Sequence, residues 1–282
     1  MKSIVVTGVS TGIGWGCAKV LTQAGFRVFG SVRKKEDAER LKREFGDSFS
    51  PLLFDVTDEA AVAAAAQEVA AALGRETLSG LVNNAGVAVI GPLAYLKTDD
   101  FRRQIEVNLV GPFIVTKAFA PLLGADRARQ GAPGRVVMIS SIGGRIAYPF
   151  GGAYHASKFG LEGLSEALRR ELMLFGIDVV VIAPGAVATP IWSKAEGAGT
   201  PFASTPYAEP IGRMQRLSAS AAKHGLPPEK IGEAVKTALT AKKPRVRYTV
   251  APDPVQTILI GRLPKRWVDS QMAKRLGLKS SS

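Results

Sequence analysis

A doubly wound α/β sheet of about seven parallel strands, with helices on both faces, is the fold this sequence predicts. Three observations point to it. Short β-branched runs alternate with longer amphipathic stretches along the chain, the rhythm of strands joined by crossover helices. A glycine loop, Thr7-Gly8-Val9-Ser10-Thr11-Gly12-Ile13-Gly14, follows the first apolar run and opens the first helical one. No compositional break or internal repeat divides the 282 residues, so a single domain over residues 1–282 is expected.

The elements follow in order. Ile4–Thr7 is the first strand, and a helix starts near Gly12. Arg27–Val32 and Pro51–Phe54 are the second and third strands, with a charged helix from Lys35 between them. The helix near Asp58 is alanine-rich from Ala60 to Leu73. Alanine has the best helix propensity, so this is a helix and not low-complexity disorder. Gly80–Val82 and Arg135–Ser140 are the fourth and fifth strands, separated by a helix from Thr98. A helix from Gly152 leads to Asp178–Ile182, and one from Pro228 leads to Val246–Val250. Right-handed crossovers then give the doubly wound order.

Three regions break the rhythm. Residues 124–134 form a polar, glycine-bearing surface loop. Residues 190–227 are rich in proline yet keep Ile191, Trp192, Phe202, Tyr207, Ile211, Met214 and Leu217. A long segment with that apolar content is expected to be a lid with helical pieces. Residues 255–282 form a C-terminal extension in which apolar and basic side chains are mixed. An ordinary packed tail with a solvated basic face is preferred there over a helix lying on a membrane surface.

The net charge of +13 and pI near 10 raise nucleic acid as a partner, but the basic residues are scattered and no nucleic-acid motif accompanies them. A polyanionic cofactor suits the charge as well. The single Cys17 excludes an intrachain disulfide and fits a reducing compartment, and its apolar setting reads as a structural thiol. No run approaches the roughly 20 apolar residues of a membrane span, and no targeting segment is visible, so a cytoplasmic location is expected. Two histidines and one cysteine make a zinc site unexpected.

Glycines at 8, 12 and 14 let the backbone turn tightly and approach a pyrophosphate. The helix N-terminus then aims free N–H groups and its positive dipole at that phosphate. Glycine turns also occur for geometry alone; the position after the first strand favours dinucleotide binding. At the end of the second strand the sequence reads Gly30-Ser31-Val32-Arg33-Lys34-Lys35, without a carboxylate. An acid there would bind a ribose 2′-hydroxyl, whereas an arginine suits a 2′-phosphate. Arg33 as a planar fork, with charge from Lys34 and hydroxyls from Ser10 and Thr11, predicts NADP(H) rather than NAD(H). The bland reading is a solvated helix start.

Tyr154 and Lys158 lie four residues apart on one helix face. There the ammonium is expected to hold down the phenol's pKa, so that the phenol exchanges protons with an alcohol or ketone. Ser141 precedes the tyrosine by thirteen residues. His155, one step round the helix, is expected behind the tyrosine or at the surface.

These features together resemble the short-chain dehydrogenase/reductase family, over about residues 1–190. The glycine loop, Ile13 included, matches the family's TGxxxGIG. Asn83-Asn84-Ala85-Gly86 matches its NNAG segment. Asn108 stands where the family carries a helix asparagine. Ser141, Tyr154 and Lys158 match its serine and YxxxK pair. Pro184-Gly185 with Thr189 matches the PG motif and the threonine that meets the nicotinamide carboxamide. Asp55 matches the acid beside the adenine. The stretch Ile139–Arg145 and the basic C-terminus resemble the retinol and hydroxysteroid dehydrogenase branch.

The resemblance implies a Rossmann-like fold and an oxidoreductase that interconverts a ketone or aldehyde and its alcohol by hydride transfer. In it Tyr154 is the acid or base and Ser141 holds the substrate oxygen. Lys158 binds the nicotinamide ribose, and Asn108 holds a water that resupplies protons. Val56 beside Asp55, and Val187 between Gly185 and Thr189, complete the implied cofactor contacts. Ile142, Tyr148, Phe150, Ile191 and Trp192 flank the catalytic positions and imply a pocket for a hydrophobic substrate such as a steroid, a retinoid or an aromatic ketone. The family also implies a homodimer or homotetramer through the helices near Thr98 and Gly152. The alternative is a non-catalytic NADP(H)-sensing protein on the same fold, which has no need of all four residues.

Overall fold

The computed structural model describes residues 1–189, 200–253, 259 and 263–278. Its centre is a single sheet of seven parallel strands in the order β3-β2-β1-β4-β5-β6-β7. The strands are β1 (Ser3–Val6), β2 (Arg27–Val32), β3 (Phe49–Leu53), β4 (Gly80–Asn83), β5 (Arg135–Ile139), β6 (Asp178–Pro184) and β7 (Arg247–Val250). Each lies within two residues of its sequence expectation. Their helices are α1 (Gly12–Gln23), α2 (Lys35–Phe45), α3 (Glu59–Leu73), α4 (Thr98–Ile105), α5 (Gly111–Phe119), α6 (Gly152–Glu171), α7 (Ala208–Lys223), α8 (Pro228–Thr240) and α9 (Lys265–Leu276).

The apolar runs are continuous because the central strands are buried on both faces. Successive side chains point to opposite sides of a strand. Val5, Val136, Met138, Val179 and Val181 pack into one core with side chains of α3, α5 and α6. Ile4, Val6, Val137, Ile139, Val180 and Ile182 pack into the other with α1, α2 and α8. Cys17 sits fully buried in that second core, and burial pushes its thiol up to about 12, as suits a structural and unreactive group. The alanine-rich α3 is capped by Asp58, whose carboxylate accepts from the Ala61 N–H at 3.0 Å, a bond worth about 1 kcal/mol.

The strand order reverses direction from β1, which pairs with both β2 and β4. Crevices at such a reversal, beyond the carboxyl ends of the strands, are where open α/β sheets take ligands. Between α4 and α5 the helix widens into a π-helical turn, Glu106–Val110, a distortion that clusters at functional sites.

Among the described residues of 190–227 the helical pieces are a short turn at Thr200–Phe202 and α7. Phe202 and Ile211 form a small third core with Phe150 and Leu276. Through Leu276, α9 is tied to that core, while Lys274 and Arg275 on the same helix are exposed. Ile191 and Trp192, expected in the pocket wall, lie outside the described residues.

Candidate active site

A cavity of about 430 Å³ runs along the carboxyl ends of the strands. Its near end is the loop between β1 and α1. Gly8 and Gly12 there adopt φ of +68° and +61°, conformations that side chains with a Cβ rarely tolerate. A Cβ on Gly14 would lie 2.2 Å from the Gly8 carbonyl and 2.4 Å from the Asn84 amide, so the third glycine lets the helix close on the loop. Asn84 Nδ2 donates to the carbonyls of Thr7 and Gly8 at 2.8 and 3.1 Å. Thr7 Oγ1 accepts from the N–H groups of Asn84 and Ala85 at 2.9 Å. Chain segments more than seventy residues apart are thus knitted into one rigid cradle. Thr11 precedes α1 without a side-chain cap bond, which leaves first-turn N–H groups to serve an anion.

Ser10, Thr11, Ile13, Asp55, Val56, Ala85, Gly86, Pro184, Gly185, Val187 and Thr189 all line the same cavity. Arg33 lines it too, with Nη1 3.6 Å from Asp55 Oδ2 and two thirds of the side chain exposed. Burial raises the Asp55 carboxyl, but the Thr57 N–H and hydroxyl and the Arg33 guanidinium outweigh it and hold the group below its ordinary value. Lys34 departs from expectation. It occupies the N-cap position of α2, exposed and outside the cavity lining, because successive residues of an extended segment point to opposite sides.

Ser141, Tyr154, Lys158 and Asn108 converge at the other end. Ser141 lies two residues beyond β5 and caps a short turn, Ile142–Gly144, its Oγ accepting from the Gly143 N–H at 3.0 Å. Lys158 is 6% exposed. Its ammonium donates to the Ile139 carbonyl at 2.8 Å and lies 5.8 Å from the centre of the Tyr154 ring. Burial lowers the Lys158 pKa to about 8 against support from Glu162. Asn108, within the π-helical turn, accepts from the Val87 N–H at 2.9 Å and donates to the Val87 carbonyl at 3.0 Å and to Ser157 Oγ at 3.2 Å.

The electrostatics of the tyrosine correct the sequence reading. Burial raises the Tyr154 phenol above its ordinary value, and the group that acts against this is the Ser141 hydroxyl. Desolvation disfavours a phenolate, and the Lys158 ammonium, which donates to the Ile139 carbonyl at 2.8 Å, is not among the groups that lower the phenol. Within the protein alone the balance therefore shifts away from the phenolate.

Three of the expected pocket residues lie outside the cavity lining. Phe150 has φ of +68°, a left-handed conformation that costs a non-glycine residue about 1–3 kcal/mol. Its ring is buried in the third core, edge-on to Tyr207. Tyr148 is half-buried against His155 and outside the cavity lining. Ile142 is also outside the lining, on the turn after Ser141.

The sequence reading missed Gln104. It is fully buried, donates to the Val87 carbonyl at 2.9 Å and accepts from the Val89 N–H at 2.7 Å. Its place four residues before Asn108, on the same face, was the available signal. Arg40 was missed as well; it clamps the glycine loop through the Ser10 carbonyl at 2.7 Å. Ser140, a buried hydroxyl at the cavity wall, has no hydrogen-bond partner among the described residues.

The family model for short chain dehydrogenases matches residues 2–198. The chain is 42% identical to the NADPH-dependent 3-dehydrocapnine reductase of Ornithobacterium rhinotracheale over 252 residues, 89% of each sequence. It is 38% identical to human retinol dehydrogenase 5 over 267 residues, 87% of this chain and 79% of that one. Among solved structures, a short-chain dehydrogenase from Streptomyces avermitilis superposes with a TM-score of 0.78 at 28% identity, covering 100% of this chain and 98% of that one.

Proposed function

Because the chain belongs to the short-chain dehydrogenase family, whose members are nucleotide-dependent oxidoreductases, we propose that it is an NADP(H)-dependent enzyme that reduces a hydrophobic ketone or aldehyde to its alcohol, and can reverse the step. One observation carries this reading. The glycine cradle and the group Ser141, Tyr154, Lys158 and Asn108 line a single cavity at the reversal of the sheet.

When bound, NADPH supplies the hydride. The residues present fit it. The loop of Gly8, Gly12 and Gly14 would hold the pyrophosphate, and Lys158 the nicotinamide ribose. Arg33, with no carboxylate at the end of β2, would take the 2′-phosphate. The NADPH dependence of the 42% identical relative supports that choice.

Tyr154 is the proton donor. Burial raises its pKa, which favours the protonated form that reduction consumes when the phenol gives its proton to the carbonyl oxygen. Ser141 Oγ accepts from the Gly143 N–H, which leaves its own proton free to hold that oxygen and to stabilise charge as it develops. Accepting one hydrogen bond also makes the hydroxyl a better donor. Lys158 and Asn108, linked to Tyr154 and to Ser157 on the next stretch of α6, would return a proton to the tyrosine through water.

A panel of steroid, retinoid, aromatic and aliphatic carbonyls, followed by loss of NADPH absorbance, tests the proposal. Turnover of a bulky apolar carbonyl supports it and narrows the substrate. Tight NADPH binding with no turnover of any class favours the sensing alternative.

The pH profile follows from the site. Lys158 must be charged to bind ribose hydroxyls as a donor, and its pKa is lowered to about 8. The kcat/KM for NADPH, which reports groups of the free enzyme, is therefore expected to fall as pH rises through about 8. Glu162 raises that value, and Glu162→Gln should move the limb to lower pH. An unmoved limb would sever the link between these two groups. Glu162 is itself held by Arg247 Nε at 3.2 and 3.3 Å in a mostly buried pair, so the variant is also expected to be less stable.

The assembly is proposed to be a homodimer or homotetramer through α4, α5 and α6, on which Phe101, Phe113 and Phe159 are between 36% and 46% exposed. Light scattering that returns a monomer mass would remove this. A cytoplasmic location is proposed on the single thiol, and fractionation of the producing cells tests it. Among the described residues no helix is long and apolar enough to cross a membrane.

A further inference from the structure

We infer that His155 is a positioning residue for the reaction: by gripping the Gly143 carbonyl it fixes the turn that presents the Ser141 hydroxyl. The inference rests on the proposed role of Ser141 as the group that holds the substrate oxygen.

The side chain is built into its place. His155 is 8% exposed, although its neighbours on α6, Gly152 and Ala156, are not buried. It fills a slot that exists only because two positions carry no side chain. A Cβ on Gly143 would come within 2.7 Å of His155 Nδ1, and one on Gly151 within 2.8 Å of Nε2. The ring is flanked by Tyr148 and by Tyr154, each with centroids 5.7 Å away.

Its polar contact is directional. Nδ1 lies 2.9 Å from the Gly143 carbonyl oxygen. A carbonyl only accepts, so Nδ1 carries the proton and donates. The far end of the same peptide unit donates from the Gly144 N–H to the Ser141 carbonyl at 3.0 Å. The near side of Gly143 donates from its own N–H to Ser141 Oγ at 3.0 Å. Holding Gly143 from behind therefore sets both the backbone and the hydroxyl of Ser141. The same imidazole stands edge-on to the Tyr154 ring, so one side chain braces the two groups that must meet a carbonyl oxygen together. Misplacing a reacting group by about 1 Å can cost on the order of 100-fold in rate.

A buried histidine that merely fills space predicts something different, and three variants separate the two. Asparagine places an amide N–H where Nδ1 sits. Glutamine places it where Nε2 sits, and phenylalanine keeps the ring without a donor. With the carbonyl that the wild type turns over fastest in the panel, His155→Gln and His155→Phe should lose about tenfold or more in kcat with KM for NADPH within about twofold. His155→Asn should recover most of the loss. In a Ser141→Ala background, His155→Gln should add little, since the group it positions is gone. Equal losses in the asparagine and glutamine variants, or losses that multiply with Ser141→Ala, would overturn the inference.

A second readout needs no substrate. Amide hydrogen exchange across residues 141–146 should be faster in His155→Gln than in wild type, and restored in His155→Asn. Unchanged exchange in the glutamine variant would overturn the inference even if the protein turned over no carbonyl at all, which would count against the proposed function separately.

Discussion

Tyr154→Phe should reduce carbonyl turnover by about 10³-fold while NADPH affinity stays within about twofold, since general acid catalysis contributes on the order of 10²–10⁴-fold. The substitution removes one oxygen from a half-buried ring and leaves its packing against His155 in place. Folding and the glycine cradle are untouched, because the cradle is held by Thr7, Ser31 and Asn84. What goes is the only phenol at the cavity wall among the described residues. Stopped-flow single turnover beside NADPH fluorescence titration reads the two quantities apart. Retained turnover would end the proposed mechanism, and lost NADPH binding would mean that the phenol supports the cofactor site instead.

Arg33→Ala should raise the KM for NADPH by about 10- to 100-fold and change that for NADH by less than about twofold, because hydrogen bonds to a charged partner contribute about 1.5–3 kcal/mol each. The guanidinium lies at the cavity end near Asp55, 3.6 Å from its carboxylate. That pair is exposed enough to be weak by itself, so a 2′-phosphate can draw the fork away from it at little cost. Removing the arginine leaves Asp55, a carboxylate that would repel the phosphate and could accept from a 2′-hydroxyl, and this should tilt preference further toward NADH. Lys34→Ala should do far less, since Lys34 stands outside the lining. Equal effects of Arg33→Ala on both cofactors would remove the assignment to NADP(H).

The seven strands and the helices around them were legible because both signals are local. Val179–Ile182 reads as a strand from its β-branched run alone, and the two cores it serves only explain why the run is unbroken. The glycine loop was legible for the same reason: three positions within seven residues state a backbone requirement. Tyr154 and Lys158 were legible from helical spacing, and Ser141, Asn108, Asn84 and Thr189 from the resemblance. All six line the cavity.

What the chain's pattern could not show was how residues far apart would meet. Phe150 looked like a pocket wall, but a left-handed backbone turns it into a core built with Phe202 and Leu276. His155 reads as a bystander until Gly143 and Gly151 are seen to leave it a slot. Gln104 and Arg40 bind backbone carbonyls fifteen or more residues away, and no motif marks them. The phenol of Tyr154 is the sharpest case. Helical spacing predicts a lysine neighbour that lowers its pKa, whereas the folded site raises it, since burial acts on the phenol more strongly than the Ser141 hydroxyl that opposes it. By itself the sequence determined which elements form and which residues would meet along one cavity wall to carry the proposed chemistry, because propensity, periodicity and spacing act between near neighbours. Only the tertiary structure decided which way those residues face and in which direction their pKa values move, because burial and long-range hydrogen bonds exist only once the strands have been placed side by side.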